Sequence, residues 1–170
     1  MKLFPWNLSF RIQCLLGSVG SFFLIVFAVV MQFTQNLVPC SLCISQRIAY
    51  AAIGLCFLIG FIHAPQQRVG RWVYSGLALL SSGFGIAIAA RQVWLQAHPF
   101  AAFSSCAPSF AFLRETHGWS AMFKALLYGT GDCAKIDWVL WSLTMPQWSL
   151  ICFSLFALYC VIVAFSSRQR

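Results

Sequence analysis

The chain has 170 residues, of which 61% are hydrophobic and only 8% charged, with a formal net charge of +8. A soluble domain carries about 25% charged residues, so this chain could not cover its surface in water, and the composition excludes a water-soluble globular protein. The positive balance does not indicate nucleic-acid binding, because Lys2, Arg11, Arg68, Arg71, Arg168 and Arg170 are scattered over short segments rather than gathered into one basic surface.

Four apolar stretches, at about 12–32, 44–62, 72–90 and 148–165, are predicted to span a membrane. Each has about 18 to 21 residues, which at ~1.5 Å per residue crosses a ~30 Å hydrocarbon core. The first is longer than the ~7–15 residues of a secretory h-region and runs straight into a C-x-x-C pair, so it reads as an uncleaved anchor. The listed basic residues all fall on one side of this layout, while Glu115, Asp132 and Asp137 fall in the connection between the third and fourth spans. The positive-inside rule then puts both termini and the 63–71 turn in the cytoplasm. Cys40, Cys43, Cys106 and Cys133 land on the opposite side, where disulfides persist. Cys14, Cys56, Cys152 and Cys160 fall within spans and read as small packing residues.

The first outer connection, about 33–43, is short; the second, about 91–147, is long. Within the second, Trp119, Met122, Phe123, Leu126 and Leu127 recur at i, i+3, i+4, i+7 and i+8, between Gly118 and Gly129, which predicts a short amphipathic helix. Its apolar stripe is read as lying on the bilayer interface, with a grip on a partner protein as the alternative. The following "GTGDC", 129–133, is expected to be a flexible turn presenting Cys133. His98 and His117 read as solvated loop residues.

The sharpest chemical signal is "PCSLCISQR", residues 39–47. Two cysteines three apart at a helix start can close a small ring, and the unpaired N–H groups there favour thiolate, the nucleophilic form. Arg47, one turn beyond Cys43, can stabilise a thiolate or a negative charge developing on an electron acceptor. Three readings compete: a redox relay, static disulfides, and a zinc site built from the four outer cysteines. The relay is preferred. Static disulfides leave Arg47 without a role, and 26 residues separate Cys106 from Cys133, unlike the close pairs of a four-cysteine zinc site. A c-type haem would need histidine after Cys43, where Ile44 stands. No metal site is assigned.

Together, four spans, "PCSLCISQR", Cys106 and "GDC" in the long loop, and "MPQW" before the fourth span resemble the DsbB family over essentially the whole chain. These bacterial inner-membrane proteins reoxidise the periplasmic dithiol oxidase DsbA and pass its electrons to quinone. The resemblance implies an all-α integral membrane fold, a single domain over 1–170: a four-helix transmembrane bundle with a long periplasmic loop. It implies a DsbA-like thioredoxin-fold partner and ubiquinone or menaquinone as acceptor. By the same resemblance Cys106 takes up the mixed disulfide with the partner, and Cys133 exchanges with Cys40. Cys43 meets the quinone, Arg47 lies beside it, and Met145 and Trp148 approach it. Aligning "RQVWLQ", 91–96, puts Gln92 where many relatives have a histidine near the quinone; Gln92 can donate a hydrogen bond but cannot take up a proton. Arg91 beside it could supply charge or anchor the third span, and Gln46 is a glutamate in some relatives.

Redox arithmetic explains why an acceptor is needed. A DsbA-type oxidase, known to sit near −120 mV, lies ~180 mV or more above ordinary structural disulfides, roughly 8 kcal/mol for two electrons. Either the chain's own disulfides are unusually oxidising or a strong acceptor drains them. Two other readings stay open at this stage: a four-helix thiol–quinone protein of the vitamin K epoxide reductase type, and a membrane scaffold with structural disulfides or zinc.

Overall fold

The computed structural model describes residues 9–36, 38–65, 67–98, 118–136 and 138–165, apart from the side chains of 118, 119, 121 and 122. Lys2, Cys106, Glu115, His117, Asp137, Arg168 and Arg170 lie outside the described residues, as do the side chains of Trp119 and Met122. Four long apolar helices carry the fold: α1 (Phe10–Thr34), α2 (Ser41–His63), α3 (Arg68–Ala97) and, after a short helix α4 (Gly118–Tyr128), α5 (Met145–Phe165). The protein is an all-α integral membrane protein, its long helices showing lipid-type residues such as Phe23, Leu80 and Leu158 on their outer faces.

Every helix overruns its predicted apolar window. The windows end at the first polar residues, but the backbone of a helix continues as long as its own hydrogen bonds are satisfied. The largest correction is at α3. It was expected to stop near residue 90, yet it runs through Arg91 and Gln92 to Ala97. Its 30 residues reach about 45 Å at ~1.5 Å each, so one end projects beyond the hydrocarbon. Arg91 sits in that projecting part with its guanidinium over the Trp94 ring. Similarly, α2 starts at Ser41, so Cys43 belongs to its first turn rather than preceding it.

Neighbouring helices pack in the order α1–α2–α3–α5, while α1 and α5 touch only sparsely. Close approach is won with small residues, as usual where lipid supplies no hydrophobic drive between helices. A methyl group on Gly17 would overlap the Phe57 ring, and one on Gly85 would overlap Phe153. Phe57 and Phe153 are both fully buried, and Phe153 stacks on Tyr50 at 4.0 Å between centroids. Hydrogen bonds add register: the Ser21 hydroxyl donates to the Tyr50 carbonyl, and the Tyr159 hydroxyl donates to the Gln13 carbonyl. Of the four in-span cysteines, Cys14 and Cys160 are buried in this core, with Cys56 and Cys152 packed against it.

The described residues between α3 and α5 hold more regular structure than their composition suggests. Helix α4 forms as predicted. Ala125 is buried, Leu126 half-buried, and Phe123 and Leu127 exposed. The Ser45 hydroxyl of α2 donates to the Leu126 carbonyl at 2.7 Å, so α4 is tied to the start of α2. A small hairpin, β1 (Val139–Leu140) and β2 (Leu143–Thr144), was not anticipated. Its two-residue turn has positive φ at both Trp141 and Ser142, the geometry that matches strand twist. Neither residue is the glycine or asparagine that normally advertises such a turn, which is why the pattern conceals it. At the start of α5, Gln147 accepts the Thr144 N–H at 2.8 Å, half of a capping box.

Candidate redox site at the membrane edge

Cys40 is the N-cap of α2, and its sulfur accepts the Cys43 N–H at 3.4 Å. Residues three apart at a helix start share a face, and the two sulfurs lie 2.9 Å from each other. The helix end thus does what the sequence pattern requires of it: it brings both sulfurs together and points backbone donors at them.

Cys133 arrives from the other side. The expectation of a flexible turn is corrected here. Residues Gly131–Ala134 form a 3-10 turn, and Cys133 is only 1% exposed, packed among Cys40, Leu42, Ile88 and Leu95. Gly129, with φ +86°, lets the chain drop into this niche; a Cβ there would come within 2.9 Å of Leu42 and 3.1 Å of Leu95. The turn is therefore fixed by packing on α2 and α3, which a local sequence reading cannot see. The Cys133 sulfur packs with Cys40 and lies 3.5 Å from the Ser41 hydroxyl. Cys40 is thus the sulfur that neighbours both Cys133 and Cys43.

The electrostatics follow from that order. Cys133 is held well below the ordinary thiol value, at about 5. The Cys40 thiol donating to it is the main cause, followed by the Ser41 hydroxyl and the backbone of Leu42 and Thr130, together outweighing burial. Cys40 is pushed strongly upward, because its proton is shared with Cys133 and Cys43 and because it is buried. The central sulfur keeps the proton and Cys133 carries charge.

Gln92 projects from α3 onto the pair, 3% exposed. Its amide nitrogen donates to Cys40 at 3.5 Å and to Cys43 at 3.4 Å. Its oxygen accepts from the Gln46 amide at 2.7 Å. Arg47 lines the same cavity as Cys43, but among the described residues its hydrogen bonds go to α1: to the Gln32 side chain at 2.6 Å and the Ala28 carbonyl at 3.3 Å. Two of its five donors are so used, which holds the guanidinium at the cavity wall.

That cavity, about 100 Å³, lies where the C-terminal ends of α1 and α3 meet the N-terminal ends of α2 and α5 and is bounded by Tyr50, Met145 and Pro146 as well as Cys43. It is smaller than the ~300–1,000 Å³ of sites that enclose a whole ligand, so only the head of a lipid-borne molecule would enter. Its mixed lining of cation, amide, sulfur and apolar side chains fits a flat, polar-edged ring. Met145 is in the wall. Trp148 is not among the residues bounding it: its indole N–H donates to the Leu140 carbonyl at 3.2 Å and its ring leans toward Trp141. The sequence placed Trp148 with the acceptor; in the structure it stands against the unforeseen hairpin. Gln46, Ser41 and Thr130 were missed as site residues. For Gln46 and Ser41 the available signal was spacing within one turn of a cysteine on α2.

Comparison with known proteins adds an independent line. The family model described as "Disulfide bond formation protein DsbB" matches residues 10–163. Similar proteins named "Disulfide bond formation protein B" include one from Xanthomonas euvesicatoria pv. vesicatoria (strain 85-10), 44% identical over 165 residues, covering 97% of this chain and 96% of the relative. One from Methylobacillus flagellatus is 44% identical over 153 residues, covering 90% and 92%. One from Xylella fastidiosa (strain 9a5c) is 40% identical over 170 residues, covering 100% and 97%.

Proposed function

The chain belongs to the DsbB family of disulfide bond formation proteins, multi-pass proteins of the bacterial inner membrane, and from that premise we propose that it is a quinone-dependent oxidase of a periplasmic, DsbA-like dithiol protein. Both termini face the cytoplasm and the active cysteines face the periplasm. The observation that carries this reading is the gathering of Cys133, Cys40 and Cys43 beside a cavity that Cys40, Cys43 and Arg47 line.

The reduced partner attacks a Cys106–Cys133 disulfide at Cys106. A second partner thiolate then closes the partner's own disulfide and leaves Cys106 and Cys133 reduced. The Cys133 thiolate, with the Ser41 hydroxyl beside it at 3.5 Å, attacks Cys40 of a Cys40–Cys43 disulfide, forming a Cys133–Cys40 bond and expelling the Cys43 sulfur as the leaving group. Cys106 resolves that bond, which regenerates Cys106–Cys133 and returns a thiol to Cys40. The electron pair now rests on Cys40 and Cys43. Quinone is the substrate that removes it: the Cys40–Cys43 disulfide forms again while the quinone takes up the two electrons and two protons and leaves as quinol. Arg47 favours negative charge at the acceptor end, and Met145 and Tyr50 shape an apolar entrance. One substrate comes from water and the other from lipid, so the exchange has to happen at the boundary where α2 begins.

The test is coupled turnover with purified full-length protein: oxidation of a reduced DsbA-like partner alongside reduction of a short-chain quinone. Cys43→Ser should abolish quinone reduction. If neither rate falls, the relay is wrong. Labelling of thiols in quinone-depleted cells separates a relay, whose outer cysteines accumulate reduced, from a scaffold with static disulfides, whose cysteines stay oxidised. Impermeant reagents that reached Cys40 and Cys43 only from the cytoplasm would overturn the orientation.

A further inference from the structure

Two buried carboxamides meet beside the sulfur pair, and the redox steps above use neither. Gln46 is 5% and Gln92 3% exposed. A lone glutamine facing two sulfurs could present either its NH2 group or its oxygen, and the choice matters. The NH2 end favours a thiolate; the oxygen end opposes one and disfavours reduction of the pair. Here the Gln92 oxygen accepts the Gln46 N–H at 2.7 Å and stands farther, at 3.9 Å, from the Cys43 sulfur, while the NH2 group lies closer to the pair, 3.5 Å from Cys40 and 3.4 Å from Cys43. We propose that Gln46 is a positioning residue that locks the Gln92 amide donor onto Cys40 and Cys43, making their disulfide more oxidising.

This inference rests on the reading of Cys40 and Cys43 as a redox-active pair, and it assigns Gln92 to the sulfurs rather than to the acceptor. Reduction by an external dithiol cleaves the Cys40–Cys43 bond and adds two electrons. One thiol and one thiolate remain on the pair, the dithiol (or, in glutathione buffer, two glutathione thiols) becomes a disulfide, and the second proton goes to water. A donor aimed at the pair stabilises the thiolate product more than the neutral disulfide, since hydrogen bonds to charged groups are roughly twice as strong as neutral ones. It therefore raises the potential. Neither amide titrates, so the donor is present at every pH at which the protein is folded, and no proton has to be moved to supply it.

A double-mutant cycle on the full chain tests this, reading the midpoint potential of the Cys40–Cys43 pair in glutathione buffers with neither quinone nor partner present. Methionine replaces glutamine at nearly equal volume. Gln92→Met should shift the equilibrium toward disulfide roughly tenfold, which is ~30 mV lower for a two-electron couple. Gln46→Met should lower it in the same direction, because the freed Gln92 amide can turn. The double variant should fall no lower than Gln92→Met alone, since Gln46 acts only through its neighbour. Should Gln46→Met not fold, Gln46→Glu serves: a carboxylate can only accept, turns the Gln92 NH2 group away, and should lower the potential likewise. An unchanged potential with Gln46 replaced, or two shifts that simply add, overturns the proposal. A wild-type pair that forms no disulfide in any buffer overturns the relay itself, which keeps the two failures apart.

Discussion

Gly129→Ala is a sharp probe of how Cys133 is held. At φ +86°, alanine costs about 1–2 kcal/mol relative to a right-handed conformation. The added methyl must also enter a gap bounded by Leu42 at 2.9 Å and Leu95 at 3.1 Å. Both contacts are methyl tips, which can yield, but both side chains are buried, so crowding adds about 1 kcal/mol, the low end of overpacking penalties. The turn carrying Cys133 should then open more easily by about 2–3 kcal/mol, and alkylation of Cys133 through that opening should accelerate roughly 30- to 150-fold. The assay is the rate of Cys133 modification by a maleimide in the fully reduced protein, with Cys14 in the helical core as an internal control. An acceleration below threefold refutes the packing argument. An equal acceleration at Cys14 refutes it too, because the substitution would then have loosened the whole bundle instead of one turn.

Three further outcomes are expected. The rate at which Cys133 reacts with a small neutral alkylating agent should stay flat from alkaline pH downward and halve only near pH 5, where an ordinary thiol would already have lost reactivity below pH 9; because its folded value is depressed, the stability it contributes is present at alkaline pH and is lost as pH falls toward 5. A halving near pH 8 would remove the charge assigned to it. Arg47→Ala should raise the apparent KM for a short-chain quinone roughly tenfold through loss of a charged donor, while partner exchange changes less than twofold; equal losses would take Arg47 away from the acceptor. Gly85→Ala should force Phe153 from its place between α3 and α5 and cost about 1–3 kcal/mol, visible as a lowered Tm in detergent; an unchanged Tm would mean that the interface has slack.

Helix number, the pairing of Cys40 with Cys43 at a helix start, and the span assignments were legible because they depend on local composition and on spacing within one turn. The run of α3 beyond Ala90 was not, since a hydropathy window stops at Arg91 whereas backbone hydrogen bonding does not. Burial of Cys133 was hidden for a different reason. "GTGDC" is a flexible string by itself, and becomes a fixed turn only against Leu42 and Leu95, about 90 and 35 residues earlier in the chain. The hairpin escaped because Trp141 and Ser142 adopt positive φ without glycine, and with it the contact of Trp148 with Leu140. Gln92 was drawn to the site by resemblance. Its bond to Gln46 joins two helices that no single-segment pattern connects.

The overlong third helix has a mechanical consequence. Gln92 and Gln96 stand one turn apart on it: the former holds the sulfurs, while the latter accepts from Thr144 at the foot of α5 and donates to the Lys135 carbonyl beside the 3-10 turn. One stiff rod thus carries three parts of the reaction centre above the lipid. Should the bilayer thin or thicken, that rod would rise or sink as a unit, and sulfurs, loop and cavity wall would travel with it.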